Sequence, residues 1–213
     1  MLSLPLLLLL AVLLLLPVLF GLFLILRLRA QMAAGGGAAQ QSAELEPQKT
    51  AFSPERFAET ARHEALEGYH GGLKGLEPKL WPIASRFLGL KAEALDGRWA
   101  AAFVYHCLRL SGHSLPNRAD LPGISGNFAE IEPWLEWARA SECLFLPDGK
   151  GFAPKRGDIA LFCLGGEEID HMGVVLERNG PEIFLAEGDV GNVSLLTERL
   201  LDDRLKGLIR IGP

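Results

Sequence analysis

The sequence predicts an α+β fold. From about residue 52 to Gly149, apolar residues recur at helical spacing, whereas after Gly149 the chain consists of short β-rich runs separated by turns. Helices followed by a meander of antiparallel strands are typical of the α+β class. About 160 of the 213 residues remain beyond the N-terminal segments, which is enough for one domain with a buried core.

The N-terminal segment, residues 2–26, is uncharged and mostly leucine. As a helix rising about 1.5 Å per residue it would extend roughly 37 Å, more than the roughly 30 Å hydrocarbon core of a bilayer. We therefore predict a transmembrane anchor over residues 1–29, with a cleaved signal peptide as the alternative. A signal peptide would need a basic start and a shorter apolar run. A flexible linker rich in Ala, Gly and Gln is predicted over residues 30–50.

The domain is predicted over residues 51–213 and begins with a helix. Ser53 is a suitable N-cap, and Pro54 suits the first helical position. The apolar face of this helix continues through Ala65, and we expect Gly71 and Gly72 to end it.

Three further helices are predicted before the β-rich part. A short helix covers residues 81–88. A buried helix covers residues 96–110, where apolar side chains occupy most of the circumference, and Gly112 ends it. A Pro/Gly/Asn-rich loop over 117–127 then leads to a helix over 130–140.

Five strands are predicted after Gly149, with the turn at residues 178–180 joining the second to the third. Their ranges are 159–163, 172–177, 182–187, 193–195 and 208–211.

Charge and cysteine content exclude several classes of function. The net charge is −5 and no stripe of Lys and Arg is present, so no nucleic-acid partner is predicted. Cys107, Cys143 and Cys163 match no CxxC pattern and are expected to be buried, although an oxidising compartment would be compatible with a Cys107–Cys163 bridge. No metal or cofactor is predicted, because four histidines lack ligand spacing with Asp, Glu or Cys. They are His63, His70, His106 and His113.

A cysteine hydrolase needs a thiolate, an imidazole base and a group that orients the imidazole. Position 100 lies near the start of the predicted buried helix, where the helix dipole would favour a thiolate, but alanine occupies it. His171 stands at the head of one strand and Glu187 at the end of the next. Because neighbouring strands lie about 4.8 Å apart, the carboxylate of Glu187 could orient the imidazole.

Five segments, in this order, resemble the CHAP domain, a papain-like amidohydrolase and peptidase family that cleaves peptidoglycan. They are WAAAFV (99–104), WLEW (134–137), PKRGDI (154–159), HMGVV (171–175) and EGDVGNV (187–193). The resemblance covers roughly residues 96–212. It implies a papain-like fold, with N-terminal helices and a central nucleophile helix packed on an antiparallel sheet.

The resemblance also implies roles for individual residues. Ala100 takes the nucleophile position, His171 the base position and Glu187 the orienting position. Asp189 falls where many relatives carry a functional asparagine. Trp99, beside the nucleophile position, either shapes the wall of the substrate cleft or packs in the core. Cys107, two turns further along the helix, is expected to be buried and inert.

The implied function is that of a membrane-anchored peptidoglycan amidase or endopeptidase in an inactive form, with a wall peptide or another amide as substrate. Because His171 and Glu187 are retained, we interpret Ala100 as a Cys-to-Ala substitution. Two alternatives stay open. One is a natural pseudoenzyme that binds wall peptides or a protein partner. The other is a cytoplasm-facing, membrane-tethered toxin or defence effector.

The implied location is the bacterial inner membrane, crossed once, with residues 2–26 in the lipid bilayer. The side on which the domain lies stays open. Arg27 and Arg29 follow the apolar segment and favour a cytoplasmic domain by the positive-inside rule. A peptidoglycan hydrolase would instead face the periplasm.

Overall fold

A computed structural model describes residues 52–71, 79–95, 97–115, 126–149 and 151–212. The predicted anchor (1–29), the linker (30–50) and most of the predicted 117–127 loop lie outside these residues. Within the described ranges, no helix combines the length and apolar composition that a membrane span requires.

The helical elements come first in the described chain: α1 (Pro54–Leu66), α2 (Trp81–Ala84), a 3-10 helix (Ala92–Leu95), α3 (Ala100–Leu110) and α4 (Ile131–Ala140). Helix α1 begins as predicted, with the Ser53 hydroxyl accepting a hydrogen bond from the Arg56 N–H at 3.1 Å. It ends at Leu66 rather than at Gly71 and Gly72. The reason is that Gly68, at φ +62°, already turns the chain into the left-handed region.

The strands form one antiparallel six-stranded sheet in the order β1-β6-β2-β3-β4-β5. They are β1 (Leu144–Phe145), β2 (Ile159–Phe162), β3 (His171–Asn179), β4 (Glu182–Val190), β5 (Val193–Leu200) and β6 (Leu205–Ile209). The predicted α+β class is confirmed. Strand β1 was not predicted, because two residues are too few to show an alternating pattern.

The two faces of the sheet have different surroundings. Met172 and Val174 of β3 pack in the core cluster that contains the helices. Phe162 and Val175 belong to a second apolar cluster, in which no helical residue takes part among the described residues. Since successive side chains of a strand point to opposite faces, the helices cover one face and this smaller cluster covers the other.

Helix α3 is the central element of the helical layer. Every residue from Ala100 to Leu108 is buried, as the apolar circumference predicted. It packs on α1 and on strands β3 and β4. Its first residue therefore lies where the helical layer meets the sheet.

Candidate functional site

Position 100 lies at the wall of a cavity. Ala100 is the first residue of α3, and a cavity of about 370 Å³ opens beside it. Its polar lining consists of Arg98, Asn127, Glu130, Asp170 and Asp189. The N–H groups in the first turn of a helix lack intrahelical acceptors, so this end of α3 presents donors near the cavity.

The structure brings His171 and Glu187 into contact on neighbouring strands. Nε2 of His171 lies 3.2 Å from Oε1 of Glu187, and the Glu187 side chain is completely buried. Gly173, which pairs with Glu187 across the two strands, makes room for the carboxylate. A Cβ atom at Gly173 would come within 2.6 Å of Cγ of Glu187.

Two residues that the sequence did not single out complete this network. Arg199 donates from Nε to both Glu187 oxygens, at 2.8 and 3.1 Å, and the Thr197 hydroxyl also donates to the carboxylate. Burial raises the pKa of Glu187, but the contacts with His171, Arg199 and Thr197 outweigh it and leave the pKa below its ordinary value. Glu187 is therefore ionised at neutral pH. One indication of these contacts was present in the sequence, which is that Thr197 and Arg199 stand at alternate positions of β5 and so share a face of the strand.

The contact between His171 and Glu187 lacks hydrogen-bond alignment. Nε2 of His171 is buried and has no partner with hydrogen-bond geometry, despite the 3.2 Å approach to the carboxylate. An orienting hydrogen bond would require a small rotation of the imidazole. Because Nε2 faces Glu187, Nδ1 is the nitrogen left for proton transfer.

Ala100 and the His171–Glu187 pair lie on different faces of the sheet. His171 pairs with Phe162, whose side chain faces away from the helices, and strand alternation gives His171 the same face. Neither His171 nor Glu187 lines the cavity of Ala100. His171 is nevertheless the first residue of β3, directly after Asp170 in the cavity wall. The two halves of the predicted site therefore adjoin at one end of the sheet.

Asp189 and Trp99 meet at the start of α3. The Trp99 N–H donates to Oδ2 of Asp189 at 3.1 Å, which places a carboxylate at the N-terminus of this helix. The indole of Trp99 is completely buried and donates from Nε1 to Oδ1 of Asn192 at 2.9 Å. Trp99 is thus not part of the cavity wall. Of the two roles that the sequence left open for Trp99, the structure shows core packing, and a role in substrate binding stays a prediction.

Cys107 and Cys143 offer no alternative nucleophile. All three cysteines are free thiols, so the Cys107–Cys163 bridge is not formed. Cys107 is completely buried, and burial raises the pKa of its thiol well above the ordinary range. Burial also raises the pKa of Cys143 to about 11. Thiols with raised pKa values are poor nucleophiles at neutral pH.

A buried polar network between α1 and α3 was missed by the sequence analysis. Glu64 accepts from the Tyr69 hydroxyl at 2.6 Å and lies 2.9 Å from Nε2 of His106. Arg86 donates from Nε to Nδ1 of His106 at 3.2 Å. His106 is therefore a neutral imidazole that donates from Nε2. The one signal in the sequence was Glu64, a carboxylate on the apolar face of α1.

Comparison of the chain with protein-family models, with curated proteins and with solved structures finds no match. The resemblance to the CHAP domain therefore stays a prediction that depends on the five segments alone. The antiparallel sheet, the cavity at Ala100 and the contact between His171 and Glu187 do not depend on it.

Proposed function

We propose that this chain is a nucleophile-less relative of the papain-like cysteine amidohydrolases, which holds a peptide amide in the cavity of Ala100 without cleaving it. One observation carries the proposal. The residue that begins the central helix lines a cavity, and a histidine with a buried carboxylate partner adjoins that cavity at the same end of the sheet. A peptidoglycan peptide is the ligand that the CHAP resemblance implies.

The missing step is nucleophilic attack. In hydrolysis, a thiol at position 100 would pass its proton to the imidazole of His171 and add as a thiolate to the amide carbonyl; the C–N bond then breaks to leave a thioester, and the amine departs with the proton from the imidazolium. Water would then hydrolyse the thioester. The alanine methyl has neither an ionisable proton nor a lone pair, so this reaction cannot begin. The backbone at the start of β3 would also have to rearrange, because His171 projects from the opposite face of the sheet.

Asp189 favours the natural pseudoenzyme over a lone Cys-to-Ala substitution. Its carboxylate accepts from Trp99, immediately before position 100. A negative charge there opposes the stabilisation that the helix dipole would give to a thiolate. A carboxylate at this point would disfavour a thiolate at position 100, whereas a site that only binds has no thiolate to repel.

The cellular setting is part of the proposal. The apolar residues 2–26 would hold the chain in the bacterial inner membrane, and the linker would let the domain reach its ligand near the bilayer. A protein partner or another amide is the alternative ligand, and a cytoplasm-facing domain would favour it, since the wall lies on the other side.

The substitution Ala100→Cys tests the proposed function. The variant is incubated with purified muropeptides, and products are identified by mass spectrometry so that the cleaved bond is known. We expect slow amide cleavage that disappears in the double variant Ala100→Cys/His171→Ala. Ala102→Cys is the matched control, because Ala102 lies on the same helix but is completely buried and does not line the cavity.

The outcomes separate the interpretations. Cleavage by Ala100→Cys but not by Ala102→Cys supports the amidohydrolase relationship. A folded Ala100→Cys variant that binds muropeptides without cleaving them would restrict the chain to a binding role. Absence of both binding and cleavage would overturn the proposal for wall peptides.

A further inference from the structure

The turn between β4 and β5 contacts the start of α3. Asn192 in this turn has φ +68°, a left-handed conformation that asparagine adopts more readily than most residues. Its side-chain Oδ1 accepts from Nε1 of Trp99 at 2.9 Å. Its backbone carbonyl accepts from the N–H of Gly71 at 3.1 Å. One residue thus ties the turn to two distant parts of the chain.

The amide of Asn192 is confined on a second side by Gly71. A Cβ atom at Gly71 would collide with the Asn192 side-chain amide, so the glycine permits this close approach. The acceptor that meets the indole is therefore held between the backbone of Gly71 and the ring of Trp99. Its position does not depend on the free rotation of an exposed side chain.

Trp99 transmits this constraint to position 100. It is the N-cap residue of α3 and directly precedes Ala100. Its main chain is held by Asp189 and its indole by Asn192, so two residues of one hairpin set where the helix begins.

We propose that Asn192 is a positioning residue, which acts through Trp99 to set the orientation of the side chain at position 100 in the cavity. This proposal depends on the proposed function in one respect, namely that the cavity at Ala100 binds a ligand. Its test needs no substrate, because the chemical reactivity of a thiol at position 100 reports the local geometry directly.

The experiment uses the full chain carrying Ala100→Cys. The rate of alkylation by iodoacetamide at position 100 is measured against pH by mass spectrometry, with and without Asn192→Gly. Glycine removes the acceptor but keeps the left-handed backbone, so the variant is expected to fold. Loss of one hydrogen bond predicts a change in the alkylation rate of about two- to tenfold, together with a shift in the pH profile.

Two further variants show whether the effect passes through the indole. Trp99→Phe removes the donor, and Trp99→Phe/Asn192→Gly should alkylate no differently from Trp99→Phe alone. Asn179→Gly is the matched control, since Asn179 ends β3 at an exposed position, and it should leave the profile unchanged.

The outcomes are distinguishable from those of the cleavage assay. If Asn192→Gly lowers stability but leaves the pH profile and rate at position 100 unchanged, Asn192 is only structural and the proposal is overturned. The same holds if its effect persists in full when Trp99 is already phenylalanine. A shifted profile in a variant that neither binds nor cleaves muropeptides would support the positioning role and overturn the proposed function for wall peptides.

Discussion

At the residue scale, the carboxylate of Asp189 bears on how a thiol at position 100 would ionise. In the Ala100→Cys background, we expect Asp189→Asn to lower the pKa of the introduced thiol. An amide oxygen still accepts from the Trp99 N–H but carries no charge to repel the thiolate. The alkylation rate measured against pH gives this pKa. A profile that does not move would show that the charge of Asp189 is not felt at position 100.

Glu187 is the residue whose charge matters most to the His171 network. Glu187→Gln leaves the Arg199 guanidinium without its buried counter-ion, and we expect a loss of about 1–3 kcal/mol in the free energy of unfolding. Urea denaturation at pH 7 measures it. Glu198→Gln, at an exposed position of β5, is the control and should change stability by no more than about 0.5 kcal/mol. Equal effects would mean that the network contributes little.

At the element scale, the packing of α1 on α3 depends on pH through the Glu64–His106 pair. Burial lowers the pKa of His106, and the nearby Arg86 adds to this, although Glu64 partly offsets both. Burial raises the pKa of Glu64, but hydrogen bonds from Tyr69 and His106 outweigh it and leave the value lowered. In both cases the unfolded chain binds protons more readily than the folded one.

Stability should therefore fall on acidification. The contribution of His106 is fully present above its ordinary pKa of 6.5 and is lost as the pH falls through the lower folded value. The contribution of Glu64 to stability is lost at lower pH, below its ordinary pKa of 4.5. We expect the free energy of unfolding, measured in urea from pH 7.5 to 3, to decrease steadily. Glu64→Gln should flatten the lower part of this curve, whereas Glu67→Gln, one turn further on, should not. A flat curve for the unmodified chain would contradict the argument.

Helix α1 and strand β1 show what the sequence says about elements. The spacing of Ser53, Pro54 and Ala65 predicted where α1 begins, because caps and periodicity are local properties. Its end at Leu66 depended on Gly68, one of three glycines in five residues that could all end a helix. Strand β1 exists only because β6 pairs with it, and a local pattern does not contain that information.

At the scale of the whole molecule, residues 2–26 should determine whether the chain resides in a membrane. An arginine at the centre of a membrane helix costs about 2.5–3.5 kcal/mol, whereas each Leu, Ile, Phe or Val contributes only about −0.3 to −0.6 kcal/mol. Three arginines, in Leu10→Arg/Leu13→Arg/Leu16→Arg, would offset the gain from the apolar residues of 2–26 and should move a large share of the full chain from the membrane fraction to the soluble fraction. Leu28→Arg, between Arg27 and Arg29 and beyond the apolar segment, is the control and should leave the distribution unchanged. Fractionation after carbonate extraction gives the measurement. Equal distributions for both variants would contradict the anchor.

The sequence by itself determined the α+β class, the buried helix that starts near position 100 and the approach of His171 to Glu187. Periodicity, caps and the spacing of neighbouring strands are enough for these. Only the tertiary structure decided that Arg199 and Thr197 share Glu187, that Asn192 holds Trp99 and that His171 faces away from Ala100. The physical reason is register. The pairing of β4 with β5 shifts between Glu187 and Val190, and such a shift, which sets which side chains meet across the sheet, leaves no local pattern in the chain.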